Sequence, residues 1–324
     1  MLDFALADSP FGATALPIIA APMFLISGPD LVVAACRSGI IGAFPAANAR
    51  TPEQLQYWLA TIEERLAGRD AASYAVNINV WPGRYRDFDA VVAAMEKAHA
   101  PLVITSVGDP TDTVRRVHGW GGKVLHDVTT IRHAEKAIAA GVDGLILICA
   151  GAGGHAGAAS PFSFLRAVRK FYDGPVVLGG GIGDGHGVAA AIALGADMVY
   201  MGTRFIASAE SMAGDAYKRS VVDAELSDIV YTNAISGLPA NFLSSSLVAA
   251  GLNLAHMPDL ESGERARLPA GIKAWKDILS AGHASSLVDS VLPVDEIVRR
   301  IGRELEQAVE GLNGKMGRNR VLTT

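Results

Sequence analysis

Cysteine is nearly absent from this chain: Cys36 and Cys149 are the only two in 324 residues. Two thiols so far apart support neither a disulfide framework nor a paired-cysteine metal site, and both read as small buried hydrophobes in a reducing compartment. Aromatic residues are few as well, at 6% against 50% hydrophobic overall. The apolar content is therefore mostly Ala, Val, Ile and Leu, which suits helices packed on a sheet better than a β-sandwich. Positive charge is scattered and the net charge is −5, so there is no footprint for nucleic acid. No uninterrupted apolar run reaches the roughly 18 residues of a membrane span. The N-terminal MLDFALADSP carries early acids and no basic region before an apolar stretch, so it does not read as a signal peptide. A cytoplasmic protein with no membrane or nucleic-acid partner is expected. No GxGxxG with a downstream acid follows the first apolar run, which argues against a Rossmann dinucleotide domain. No histidine–carboxylate spacing suggests a metal.

What is present is regularity. Strand-like apolar runs recur at PIIAAPM (17–23), IGAFPA (41–46), YAVNINV (74–80), LVITSV (102–107), KVLHDV (123–128), GLILICA (144–150), PVVLGGG (175–181) and MVYMG (198–202). Amphipathic stretches lie between them, among them Pro52 to Leu66, Asp87 to Ala98, Thr130 to Ala140 and His186 to Leu194. Eight βα alternations predict an α/β fold, a (β/α)8 TIM barrel, ahead of a doubly wound open sheet. The turn AxGxD occurs twice, at 139–143 and 193–197, a weak internal repeat in which glycine stops a helix before the next strand. The period fails after Arg204. Residues 1–208 and 286–324 are assigned to the barrel and 209–285 to an inserted, mainly helical cap subdomain. A helix from Val294 to Leu312 is expected to return to the barrel wall, followed by a polar, basic tail from Gly317.

Strand ends carry the chemistry in such a barrel. The segment from Gly144 to Gly157 stands out, because a buried apolar run empties into a loop of small residues whose one titratable side chain is His155. Gly153 belongs to that loop, where the backbone can approach a flat or anionic ligand closely. Gly179, Gly180 and Gly181 after the seventh run, with Met201, Gly202 and Thr203 after the eighth, form a phosphate cradle of backbone N–H groups in the usual barrel location. Asn77 and Asn79 share one strand face. Either a heterocycle satisfies their amides or neighbouring backbone does. Ala21, Pro22, Met23 and His126 complete the rim, and strand alternation sets His126 and Asp127 on opposite faces.

Five motifs in order, PIIAAPM, VNINV, AGGHAG, GGGIGDG and YMGTRF, resemble the nitronate monooxygenase (2-nitropropane dioxygenase-like) family of FMN barrels. The resemblance runs from about residue 15 to 315, since LSAGHASSLVD is similar to that family's late Ser-Ala-Gly segment. It implies FMN, with Ala21, Pro22 and Met23 against the flavin ring and Asn77 hydrogen-bonded to it. It implies Gly180, Gly181, Gly202 and Thr203 on the phosphate, His155 as the catalytic residue, and Ser280 and Gly282 at the outer part of the site. The chain departs from the pattern at Asp127, where some members carry lysine, and at Leu279, where some carry tryptophan.

The expected reaction is oxidative denitrification of an alkyl nitronate, or of a nitroalkane, with O2 to a carbonyl compound and nitrite. His155 then either holds the anion, as donor or cation, or removes an α-proton. The partners expected are the small-molecule nitronate and O2, and a homodimer is the assembly considered. The alternative is an NAD(P)H-dependent flavin reductase acting on a quinone or enoyl thioester. A flavin-free aldolase or isomerase barrel has little support, because no strand-end lysine or paired carboxylates suit it. A non-enzymatic ligand-binding barrel has least support of all.

Overall fold

A computed structural model describes residues 9–320. The readings made for the first eight residues, and for the tail beyond Arg320, lie outside the described residues. The strands are β1 Ile18–Ala20, β2 Ile41–Pro45, β3 Tyr74–Asn79, β4 Leu102–Ser106, β5 Lys123–Val128, β6 Gly144–Ile148, β7 Gly154–His155, β8 Val176–Gly179, β9 Met198–Met201, β10 Ile229–Thr232 and β11 Ala240–Leu243. Eight of them, β1 to β6 with β8 and β9, pair in parallel into a closed barrel. It closes where Ile19 of β1 stands beside Tyr200 of β9. Helices α1 Pro29–Arg37, α2 Pro52–Leu66, α3 Phe88–Lys97, α4 Thr111–Gly119, α5 Ile131–Ala139, α6 Pro161–Val168 and α7 Gly185–Leu194 alternate with these strands.

Local chemistry explains the elements. In α2, Pro52 opens the first turn and Thr51 Oγ1 accepts from the Gln54 N–H at 3.2 Å, a cap that contributes about 1 kcal/mol. Leu55, Leu59 and Ile62 recur at helical spacing and are the residues that α2 buries. The strand runs are continuously apolar because both faces are covered. Ile19, Ala43, Ala75, Ile104, Leu125, Ile146, Val177 and Met198 fill the barrel. Val76, Val103, Val124, Leu145, Leu147, Val176, Leu178 and Val199 belong to the larger core packed under the helices.

The AxGxD repeat has a second function. The Asp143 carboxylate accepts from the Val124 N–H at 2.7 Å and meets His118 Nε2 at 2.8 Å. The Asp197 carboxylate accepts from the Val176 N–H at 2.7 Å and from Arg169 Nη2 at 2.6 Å. Each aspartate pins the start of the neighbouring strand at the barrel bottom, the end that serves stability rather than chemistry.

After β9 come the short helix α8 Thr203–Ile206, then α9 Asp215–Val222 and α10 Ser244–Ala249. The cap is anchored by a small antiparallel sheet of order β10-β11-β7, with Ala240 opposite His155 and Asn241 opposite Gly154. The loop after β6 therefore supplies an edge strand to the cap. A final helix α11, Val294–Arg320, buries Val294, Ile297, Val298 and Ile301 and packs on α7 and α1. It runs beyond Leu312, where the apolar periodicity ends, because a polar chain without proline can continue a helix already nucleated.

Candidate functional site

The cradle forms at the ends of β8 and β9. The N–H groups of Gly181, Ile182, Gly202 and Thr203 have no acceptor among the described residues. Gly181 has φ +71°, and a Cβ built there meets nothing within 4 Å, so it faces open space. Two of the first three N–H groups of α7 are already paired. Its Gly187 N–H donates to Asp184 Oδ1 at 2.7 Å and its Gly185 N–H to Glu304 Oε2 at 3.0 Å. The unpaired donors that line the cavity belong to the β8 loop and the start of α8. A phosphate fits them chemically.

Above the cradle lies a cavity of about 1950 Å³, larger than the roughly 300–1,000 Å³ of a one-ligand site and sufficient for a cofactor with a substrate. Ala21, Pro22, Met23, Asn77, His126, Gly153, His155, Gly179, Gly180, Gly181, Gly202, Thr203 and Ser280 all line it. Met201 and Gly282 do not. The Met201 side chain joins the outer core, and its carbonyl accepts from the Ala21 N–H at 2.9 Å. Gly282 packs against the glycine loop, where an added Cβ would lie 2.3 Å from Gly151 O. The Gly282 N–H donates to Thr203 Oγ1 at 2.9 Å, so the two cap-side glycine segments and the cradle are one unit.

Inside the mouth, alternation points Asn77, Ser106, Asp127 and Tyr200 inward, continuing the rows of Ala75, Ile104, Leu125 and Met198. Asn77 Nδ2 donates to Ile104 O at 3.1 Å and Ser106 Oγ at 3.3 Å, while Asn79 Oδ1 accepts from the Trp81 N–H at 2.9 Å. Neighbouring protein groups thus hold much of both amides. Asp127 is open to the cavity on one side, yet its Oδ1 is buried without a hydrogen-bond partner among the described residues. Burial pushes this carboxyl up to about 7. Tyr200 is held well above the usual phenol value by burial first and Asp127 second.

Because the folded carboxyl holds its proton to higher pH than the unfolded one, Asp127 makes the fold less stable as pH rises from about 4 to about 7. The cost at pH 8 is on the order of 2–4 kcal/mol, allowing for its cavity opening. Asp127→Asn is therefore expected to gain stability relative to the unmodified chain between pH 5 and pH 8. Denaturant melts at both pH values check this, and a difference that does not change with pH would sink it.

His126 takes the outward position and is 6% exposed. Its Nδ1 lies 2.8 Å from Thr105 Oγ1, which itself donates to Leu125 O at 3.0 Å. A hydroxyl has one proton, so this assignment makes Nδ1 the donor and leaves Nε2 as an acceptor. Burial first and then His133 push the ring down to about 4, so it is neutral at pH 7. It suits an N–H or O–H group at the cavity edge and cannot pair with a phosphate.

His155 comes from β7. Its backbone is fixed on both sides: Asn241 Nδ2 donates to Ala152 O at 2.7 Å, and the Ala156 N–H to Pro239 O at 3.1 Å. Its ring is exposed at the cavity. Partial desolvation by the surrounding protein, and secondarily the Arg84 guanidinium, hold its pKa below the ordinary histidine value, so the neutral imidazole predominates at pH 7. Trp275 packs edge-on against it at 4.9 Å. Sequence reading did not single out Trp275, Arg84 or Tyr200. Tyr200 shares the inward row of Met198 and was accessible from alternation, whereas Trp275 lies in the cap, where no period guides a reading.

A closed parallel barrel, with unpaired backbone N–H groups at its last two strands and a histidine loop at the same mouth, defines a (β/α)8 protein. The family model described as Nitronate monooxygenase matches residues 60–304, and the chain belongs to that family. It is 28% identical to a nitronate monooxygenase of Paraburkholderia phytofirmans, over 91% of this chain and 94% of that protein. Among solved structures it is similar to a nitroalkane oxidase from Streptomyces ansochromogenes (TM-score 0.77, 26% identity, 92% of this chain and 98% of that one). It is also similar to FabK from Thermotoga maritima (TM-score 0.76, 28% identity, 93% and 96%).

Proposed function

We propose that this chain is an FMN-dependent enzyme that oxidises alkyl nitronates, and nitroalkanes more slowly, with O2 to a carbonyl compound and nitrite. The observation that carries the reading is the set of acceptorless N–H groups at Gly181, Ile182, Gly202 and Thr203, in the same cavity as His155. Gly180, Gly181, Gly202 and Thr203 hold the FMN phosphate, and Ala21, Pro22 and Met23 line the place of its ring. The flavin, when bound, supplies acceptance of electrons from the bound anion and reaction with O2. His155, being neutral, donates one hydrogen bond to a nitronate oxygen rather than a full charge. Arg84 on the β3–α3 loop supplies positive potential at the same cavity. A cytoplasmic setting belongs to this proposal. Burial pushes the thiols of Cys36 and Cys149 up to about 12, so they are inert. Among the described residues no helix is long and apolar enough to cross a membrane.

The test is direct. Purified, flavin-loaded protein given a short alkyl nitronate is expected to release nitrite and consume O2, and acid should release its yellow cofactor as FMN. Loaded protein that forms no nitrite from any nitronate, or that releases FAD, would overturn the proposal.

A second reading is an NAD(P)H-dependent flavin reductase acting on a quinone or enoyl thioester. It draws on Arg84, Arg265 and Lys276, which line the cavity with no ion pair or side-chain hydrogen bond among the described residues and are suited to a polyanionic substrate. Rapid anaerobic bleaching of the flavin by NADH or NADPH favours this reading over the first.

A further inference from the structure

The His155 imidazole makes no side-chain hydrogen bond among the described residues, and no carboxylate orients it in the way usual for a reacting histidine. Its oriented neighbour is Trp275, with ring centroids 4.9 Å apart and planes at 78°. The other ring pair of the indole is with Phe242, at 5.1 Å and 43°, and Phe242 is fully buried in the same cap cluster as Ile278. Trp275 also has φ +67°. A bulky aromatic residue in the left-handed region is a conformational outlier that persists only where its surroundings over-determine it. They do so here. The Lys273 N–H donates to Asp277 Oδ2 at 2.8 Å, the Asp277 N–H donates to Lys273 O at 3.0 Å, and Ala274 bridges to Ile278. This tight loop presents the indole at its tip.

We infer that Trp275 is the positioning residue of His155: the cap core and the loop at 273–277 hold the indole, and the indole holds the plane of the imidazole in the cavity. The inference rests on the reading of His155 as the residue that meets substrate. An edge-to-face aromatic pair has a preferred geometry and so restricts ring rotation without a charged partner. It leaves both imidazole nitrogens free for a ligand, which a carboxylate partner would not. It also makes the cap part of the reacting geometry, since Ala240 pairs with His155 and Phe242, two residues on along the same strand face, meets the same indole.

The experiment uses the holoenzyme and two variants. Trp275→Gly removes the ring and accepts φ +67° without strain, so it is the variant best able to fold. Trp275→Phe keeps an aromatic ring in the same place. His155 is titrated by NMR in each protein without substrate, its signal assigned by its absence in His155→Asn, and Arg84 is present throughout. In Trp275→Gly the His155 pKa is expected to rise toward the ordinary histidine value, because the ring loses the apolar face that Trp275 lays against it and gains contact with water. Turnover is expected to fall by about tenfold to a hundredfold with flavin content unchanged, the cost of a misplaced reacting group. Trp275→Phe should restore both readouts to near the unmodified values. A folded Trp275→Gly with unmoved titration and turnover would overturn the inference, as would Trp275→Phe failing as badly as glycine. If the titration moves as expected but no variant, nor the unmodified enzyme, oxidises a nitronate, the function proposed above fails and the positioning role stands.

Discussion

Gly181→Asp is expected to lower flavin affinity by about a thousandfold. A Cβ at this position enters open space at φ +71°, and aspartate tolerates the left-handed region better than most residues, so the fold should survive. The new carboxylate would occupy the cradle, accept from its free N–H groups, and face a phosphate of the same sign. At about 4 Å and an effective dielectric near 20, one such charge pair costs about 4 kcal/mol, or three decades in binding. Gly181→Ala is the control. It has the same φ and no charge, and should lose less than about tenfold. Fluorescence titration of flavin-stripped protein with FMN measures both, with a thermal melt to confirm folding. Affinity near that of the unmodified chain in Gly181→Asp would mean the phosphate lies elsewhere.

His155→Asn is expected to leave FMN content unaltered and lower nitronate turnover by about tenfold. The amide keeps one donor but loses the ring's reach and its packing on Trp275, a loss comparable to one good hydrogen bond. On a neutral nitroalkane the fall should be about 10²–10⁴-fold, because a neutral imidazole is competent to take the α-proton and asparagine is not. The pH profile supplies a second measurement. Since the His155 pKa lies below the ordinary value, the competent neutral form is present at pH 7 and is lost on the acid side. The acid limb should therefore flatten in the variant. Equal falls on both substrates would assign the donor role alone, and unchanged rates on both would reject His155.

The distinction between what was legible in the sequence and what was not follows from the range of the interactions. Periodicity and turn chemistry are local. They identified all eight barrel strands, α2 from Pro52 to Leu66, and the glycine positions after the sixth, seventh and eighth runs. The order of these pieces set the glycine segments after the seventh and eighth runs side by side at one end of the barrel, because parallel βα units close in only one sense. Alternation also separated His126 from Asp127 correctly. Local pattern could not tell which small residues face a ligand and which face other backbone. Gly282 was read at the outer part of the site; it does not line the cavity, and it makes the close approach that brings the Ser280 segment against the glycine loop. Met201 was read with the cradle, and its side chain turns outward while its carbonyl holds Ala21.

The cap was least legible. Its anchoring sheet joins β7 to β11 across more than eighty residues of chain, and its strands are too short to show a period. The burial of the Asp127 carboxyl, the neutrality of His155 and His126, and the support of His155 by Trp275 depend on groups brought together from distant elements. Sequence alone determined the barrel, the cradle and the histidine loop, because strand pattern, glycine placement and chain order encode them locally. Only the tertiary structure decided protonation and orientation within that site, because these are set by desolvation and by packing between elements that are remote in the chain.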